Sequence, residues 1–141
     1  MRMKLVAVSP DVETIIATAM LTTSSKREPS DIFERLRERP DRVEKLLKKV
    51  ILKHGSILEH NRLVFLAEGG ENEVLELLLA DRFFEVSRLP GGRWLLSCNL
   101  RTLISVLSRG VDLPEGVGEA FSRALREASP ILWGKVMGLE R

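Results

Sequence analysis

Apolar positions recur along the chain in two spacings, one of strands and one of helices. Residues 4–8 are apolar after Lys4 and stop at Ser9-Pro10, which predicts a buried first strand. Ser9 at a cap position and Pro10 at a first helical position predict a helix with Val12, Ile15, Ile16 and Ala19 on one side. The polar stretch 22–29 reads as a loop. Asp31 and Glu34 have capping-box spacing around Ile32, Phe33 and Leu36, and Pro40 interrupts that helix. Asp41 opens a third, with Val43, Leu46, Leu47, Val50 and Ile51 inward and Lys45, Lys48, Lys49 and Lys53 on a solvated face. The continuous apolar run 63–67 predicts a strand covered on both faces and closed by Gly69-Gly70. Asn72 is the expected cap of a Leu-rich helix ending near Arg82. Segments 83–89 and 93–97, joined by Pro90-Gly91-Gly92, read as a hairpin. Leu103, Ile104 and Leu107 return to helical spacing before Gly110, and helix resumes from about Glu115 with a new start at Ser129-Pro130. This order predicts a mixed α+β fold, a small, mainly antiparallel sheet flanked by helices. With no repeat or flexible linker, residues 1–141 read as a single domain.

Composition narrows the function classes. Hydrophobic residues at 44% and charged residues at 30% fit a globular protein, and a formal charge of +2 gives no basic surface for a nucleic-acid polymer. No apolar run reaches the ~18 residues of a membrane span. The N-terminal apolar stretch is too short for a signal peptide, so no membrane association and a cytoplasmic location are the expectation. Cys98 is the only cysteine and reads as a small buried hydrophobe. The absence of Gln and Tyr beside abundant Glu, Lys, Arg and Leu is a bias often seen in heat-adapted proteins.

Both histidines fall in one stretch between a helix and a strand, His54-Gly55-Ser56-Ile57-Leu58-Glu59-His60. As metal ligands, His54, Glu59 and His60 are poorly spaced, because adjacent side chains point to different sides, and no metal is predicted. Ser56 with a histidine base would be a nucleophile, yet no Gly-x-Ser-x-Gly elbow surrounds it. The plainer alternative is that the histidines fill a helix-strand junction. A second concentration is Asn99 and Arg101, where a strand passes into a helix. Asn99 caps there, and open N–H groups beside an arginine make a natural anion site.

Together these stretches resemble the flavin-dependent thymidylate synthases, in which a helix ends in Gly-His-x-Ser/Thr-x-x-Glu-His before an apolar strand. His54, Ser56, Glu59 and His60 match, while Lys53 replaces the glycine. Downstream, Arg93 to Leu103 is similar to the family's aromatic strand running into Asn-Ala-Arg-Ser-Leu. The opening strand, the Pro-Asp and the following helix are also similar, so the likeness is collinear over nearly the whole chain as a single thymidylate synthase complementing-like domain. Family members are considerably longer and carry an Arg-His-Arg segment, then Ser-x-Asn-Glu and Ser-x-Arg, that grips the flavin and the deoxyuridine phosphate. Here the corresponding helix ends Leu79-Ala80-Asp81-Arg82, so only Arg82 echoes the substrate-binding motif. The family's activating arginine has at best an off-register counterpart in Arg109. Losing charged hydrogen bonds at about 1.5–3 kcal/mol each weakens the hold on a phosphorylated substrate.

The resemblance implies FAD as cofactor, contacted by His54, Ser56, Glu59, Asn99 and Arg101, in a homo-oligomer, tetramer or dimer, with the flavin between subunits. It implies an FAD-dependent methyltransferase of dTMP biosynthesis. The missing motif turns the expectation toward a degenerate member that binds FAD or a nucleotide but does not methylate dUMP unaided. Two alternatives stand beside it: a non-catalytic interaction subunit, docking through residues 75–79 and 131–133, and an active synthase.

Overall fold

The computed structural model describes residues 1–52 and 55–138. Strands β1 (Arg2–Val8), β2 (Leu63–Glu68), β3 (Glu85–Leu89) and β4 (Arg93–Cys98) form one antiparallel sheet in the order β1-β2-β4-β3. Seven α-helices accompany it among the described residues: α1 (Val12–Thr22), α2 (Pro29–Arg37), α3 (Pro40–Lys48), α4 (Glu71–Ala80), α5 (Leu100–Arg109), α6 (Val117–Ala128) and α7 (Pro130–Val136). A short 3-10 helix, Gly55–Leu58, precedes β2. The mixed α+β architecture with an antiparallel sheet is the one the sequence pattern predicts.

Alternation along the central strands decides where the core sits. Leu63, Phe65 and Ala67 of β2 and Trp94, Leu96 and Cys98 of β4 are buried, while their neighbours face the other side. Phe121 of α6 packs against this inner face, its ring 5.4 Å from Phe65 and 5.7 Å from Phe84. Burying such rings contributes about 1.5–3 kcal/mol each relative to exposure. The continuous apolar run of β2 predicts cover on both faces; within one chain only the inner face is sealed. Val64 and Leu66 are half-buried, and beside them Leu95 is 39% exposed.

Four local expectations are corrected. Ser9 does not cap a helix: its Oγ accepts from the Arg62 N–H at 2.7 Å and donates to the Arg62 carbonyl, tying the end of β1 to the start of β2. α1 starts instead after Asp11, whose φ of 54° lies in the left-handed region that Asp tolerates better than bulkier residues. α2 begins at Pro29, upstream of Asp31, and Pro40 does not merely interrupt: it opens α3. In both helices proline takes the first position, where its fixed φ suits the helix and its missing N–H is not needed. Asn72 lies inside α4, whose N-cap is Gly70; the Gly70 N–H donates to Glu73 Oε1 at 3.1 Å. The Asn99 cap, the Gly110 stop with φ 61° and the Ser129-Pro130 start fall where the pattern puts them.

Candidate functional site

The turn after the 3-10 helix and the start of α5 are joined by side chains that cross about forty residues of sequence. Arg101 Nη1 donates to Glu59 Oε1, closing an ion pair between them. Asn61 ties the backbones: its Oδ1 accepts from the Leu100 N–H at 2.7 Å, and its Nδ2 donates to the Leu58 carbonyl at 2.9 Å. Pairing of Leu63 with Cys98 across β2 and β4 sets the register that brings the two segments alongside. Gly55 has a reason beyond its turn. A Cβ there would overlap the Arg101 side chain, so the guanidinium stem lies across the bare glycine.

The helix start is built from the sequence upward. Asn99 is extended, its Oδ1 accepts from the Thr102 N–H at 3.0 Å, and its carbonyl accepts from the Leu103 N–H. With the Leu100 N–H held by Asn61, the Arg101 N–H is the open donor of the first turn among the described residues. The Asn99 amide nitrogen makes no hydrogen bond among the described residues and is a second donor. Ser56 is exposed on the 3-10 helix and offers a third. Inside the same turn, Thr102 is buried and its Oγ1 has no hydrogen-bond partner among the described residues. Glu59 and Arg101 keep 39% and 45% of their side-chain surface, so the pair is open to a ligand and worth about 0–1 kcal/mol to the fold.

The other expected residues are placed as follows. His54 lies outside the described residues, and His60 is exposed. Arg109 reaches back from α5 to the end of α4, donating to the Ala80 carbonyl at 2.9 Å and Asp81 Oδ2 at 3.3 Å. Arg82 spreads its guanidinium over the Phe83 ring, 4.8 Å from its centre. Among the described residues neither makes a hydrogen bond or ion pair with Glu59 or Arg101. Cys98, one residue before the Asn99 cap, is a buried thiol pushed up by desolvation to about 12, so it stays protonated and is no nucleophile. Sequence reasoning missed Asn61, which holds the site together; its position directly after the Glu59-His60 pair was the available signal.

No family model matches the sequence, and no curated protein matches it. Solved structures do. A UMP/dUMP methylase from Streptomyces cacaoi, bound with 5-Br dUMP, superposes with a TM-score of 0.69 over 97% of this chain and 94% of its own, at 15% identity. Thymidylate synthase X from Helicobacter pylori, with FAD and dUMP, gives 0.69 over 96% and 99%, also at 15% identity. The chain has the thymidylate synthase X fold. Both superpositions span nearly the whole of each chain, and at 15% identity the likeness is one of fold. On this fold the 3-10 turn and the head of α5 form a patch in which Ser56, Glu59 and Arg101 are exposed.

Proposed function

We propose that the chain is a divergent relative of the flavin-dependent thymidylate synthases that holds FAD, or a nucleotide, on the patch between the 3-10 turn and α5, and does not methylate dUMP unaided. The Glu59 to Arg101 pair carries the reading, because it joins two segments that resemble the family's flavin contacts separately. A flavin here would supply the redox chemistry. The chain's own residues would orient it: Ser56, the Asn99 amide and the Arg101 guanidinium donate hydrogen bonds, and Glu59 fixes the guanidinium and accepts from ring or ribose donors. His54 stands beside this donor set in sequence and is assigned to the same contact group. The donors suit the carbonyl and phosphate oxygens of a flavin nucleotide. An open patch needs a second surface to exclude water, which supports a homo-oligomer, dimer or tetramer, with the ligand between copies.

Substrate binding is the weak half of the reading. Asp81 stands where the resemblance expects a guanidinium, and Arg109 is engaged by it, leaving Arg82 as the remaining phosphate ligand from that motif. Titration of the purified chain with FAD, followed by flavin fluorescence, tests the first half: binding at micromolar FAD that Arg101→Ala weakens supports it, and no binding removes it. A deoxyuridylate tritium-release assay with FAD and a reductant tests the second half, with no turnover expected.

A non-catalytic interaction subunit is the second reading. Leu75 and Leu79 of α4 are 54% and 78% exposed, an apolar stripe at i, i+4 spacing that suits a partner surface. Within residues 131–133, Leu132 is fully buried and serves the core instead. A chain that is strictly monomeric on sizing, alone and with a full-length synthase, would remove this reading.

A further inference from the structure

An open cleft of about 390 Å³ lies between the end of α1, the loop before α2, α2 itself and the start of α3. It shares no lining residue with the patch at Glu59 and Arg101. Ile32 and Leu36, one turn apart on α2 and both nearly buried, give it an apolar floor. Arg27, Arg35, Arg39 and Arg42 stand around that floor, and no carboxylate lines the cleft.

Ordinary surface electrostatics accounts for only one of these four. Arg35 lies in the last turn of α2, where a cation complements the negative end of the helix. Arg39 and Arg42 occupy the N-cap and third positions of α3, the positive end, where cations are unfavourable. Elsewhere, Arg2, Arg37, Arg62, Arg88, Arg101 and Arg109 each have a carboxylate partner, while Arg82, Arg93, Arg123 and Arg126, which have none among the described residues, do not line this cleft. Among the described residues no carboxylate oxygen comes within 4.0 Å of the four cleft guanidiniums, although Glu28, Asp31, Glu34, Glu38 and Asp41 are close in sequence. Glu34 turns to Arg37 instead. Like charges gathered against a helix dipole break local rules in a way characteristic of functional sites.

We propose that this cleft binds the diphosphate or triphosphate of a small molecule whose apolar or ring-shaped part rests on Ile32 and Leu36. Guanidiniums grip phosphate oxygens in pairs, and four of them exceed what one phosphate monoester, at about −1.5 to −2, can engage. The volume lies within the ~300–1,000 Å³ of small-ligand sites. A polymer backbone is disfavoured because a chain of net charge +2 carries no basic excess of the kind a nucleic-acid backbone requires. The inference is independent of the flavin reading, and its test separates the two.

Calorimetric titration of the full chain at low salt, with inorganic pyrophosphate, orthophosphate, ADP and an oligothymidylate as probes, is the experiment. Pyrophosphate binds roughly tenfold or more tightly than orthophosphate, since it engages at least one further charged hydrogen bond. ADP binds at least as tightly as pyrophosphate. The double variant Arg39→Gln, Arg42→Gln loses roughly tenfold or more in pyrophosphate affinity. Its thermal midpoint stays the same or rises, because two cations leave the positive end of α3. The variant Arg101→Ala keeps pyrophosphate binding whether or not it binds FAD. Equal affinity for pyrophosphate and orthophosphate, an unaffected double variant, loss of pyrophosphate binding in Arg101→Ala, or tighter binding of the oligothymidylate than of ADP would each overturn the assignment.

Discussion

Replacing Gly55 by alanine separates what the Glu59 to Arg101 contact does for the fold from what it does for a ligand. A Cβ at position 55 would sit 2.7 Å from Arg101 Cδ and 2.8 Å from Cζ, closer than real contacts allow. The obstructing atoms belong to the outer part of a flexible side chain, so the backbone keeps its place and the guanidinium swings away. The ion pair thus given up is about half exposed, and its loss costs the fold about 0–1 kcal/mol. A bound flavin loses more: one charge-assisted hydrogen bond, about 1.5–3 kcal/mol, or roughly ten- to hundredfold in affinity. Urea denaturation gives the first quantity and FAD titration the second. Gly55→Ala is therefore expected to unfold at nearly the wild-type urea concentration while binding FAD at least tenfold more weakly. Unchanged FAD affinity would refute the reasoning, and so would a loss of several kcal/mol in stability.

Three other substitutions or conditions follow from the same geometry. Phe121→Ala empties the centre of the aromatic cluster and should cost about 3–5 kcal/mol, read from the urea midpoint, since the ring is fully buried. Asn61→Ala leaves the Leu100 N–H and the Leu58 carbonyl without their partner, an expected loss of about 1–3 kcal/mol, and should weaken FAD binding as well; a variant as stable as the wild type would contradict it. Burial raises the Cys98 thiol from 9.0 to about 12, so the folded state favours the neutral form. The stability this contributes is complete below pH 9 and declines by about 1.4 kcal/mol per pH unit from there toward 12. Alkylation of the native protein at neutral pH should accordingly be negligible, and rapid once urea unfolds it.

Elements whose signals are local were legible in the chain. Asn99 before an apolar-periodic run, Gly110 after it and Ser129-Pro130 before the next are each cap chemistry confined to three or four residues, and each falls where expected. The misassigned caps share a different cause. Ser9 bonds to Arg62, fifty-three residues away, and a serine committed to a neighbouring strand cannot also cap a helix. Gly70 outcompetes Asn72 because Glu73 reaches back to its N–H from three residues downstream. At the site, Ser56, Glu59, Asn99 and Arg101 could be singled out by type and neighbourhood. That Glu59 and Arg101 meet was not in the local pattern; it follows from the β2 to β4 register, which local spacing does not fix.

The distribution of paired and free cations sharpens what the fold is used for. Where α4 meets α5, Asp81 accepts from the Phe83 N–H and from Arg109, so one of the two guanidiniums where the resemblance expects phosphate-gripping arginines is already balanced and only Arg82 adds net positive charge. At the head of α5, Arg101 is likewise balanced by Glu59 but remains half exposed, which suits a ligand held by several hydrogen bonds more than by net charge. Four guanidiniums without a carboxylate partner among the described residues, Arg27, Arg35, Arg39 and Arg42, gather instead around the α2 to α3 cleft. Attraction at a distance acts on net charge, whereas a balanced pair acts only at contact. An anionic ligand approaching this chain is therefore drawn first to the α2 to α3 cleft, and the patch at Glu59 and Arg101 discriminates by shape and hydrogen bonding once contact is made. Raising ionic strength should on this basis weaken pyrophosphate binding far more steeply than FAD binding at the patch, and parallel salt slopes for the two would contradict the division.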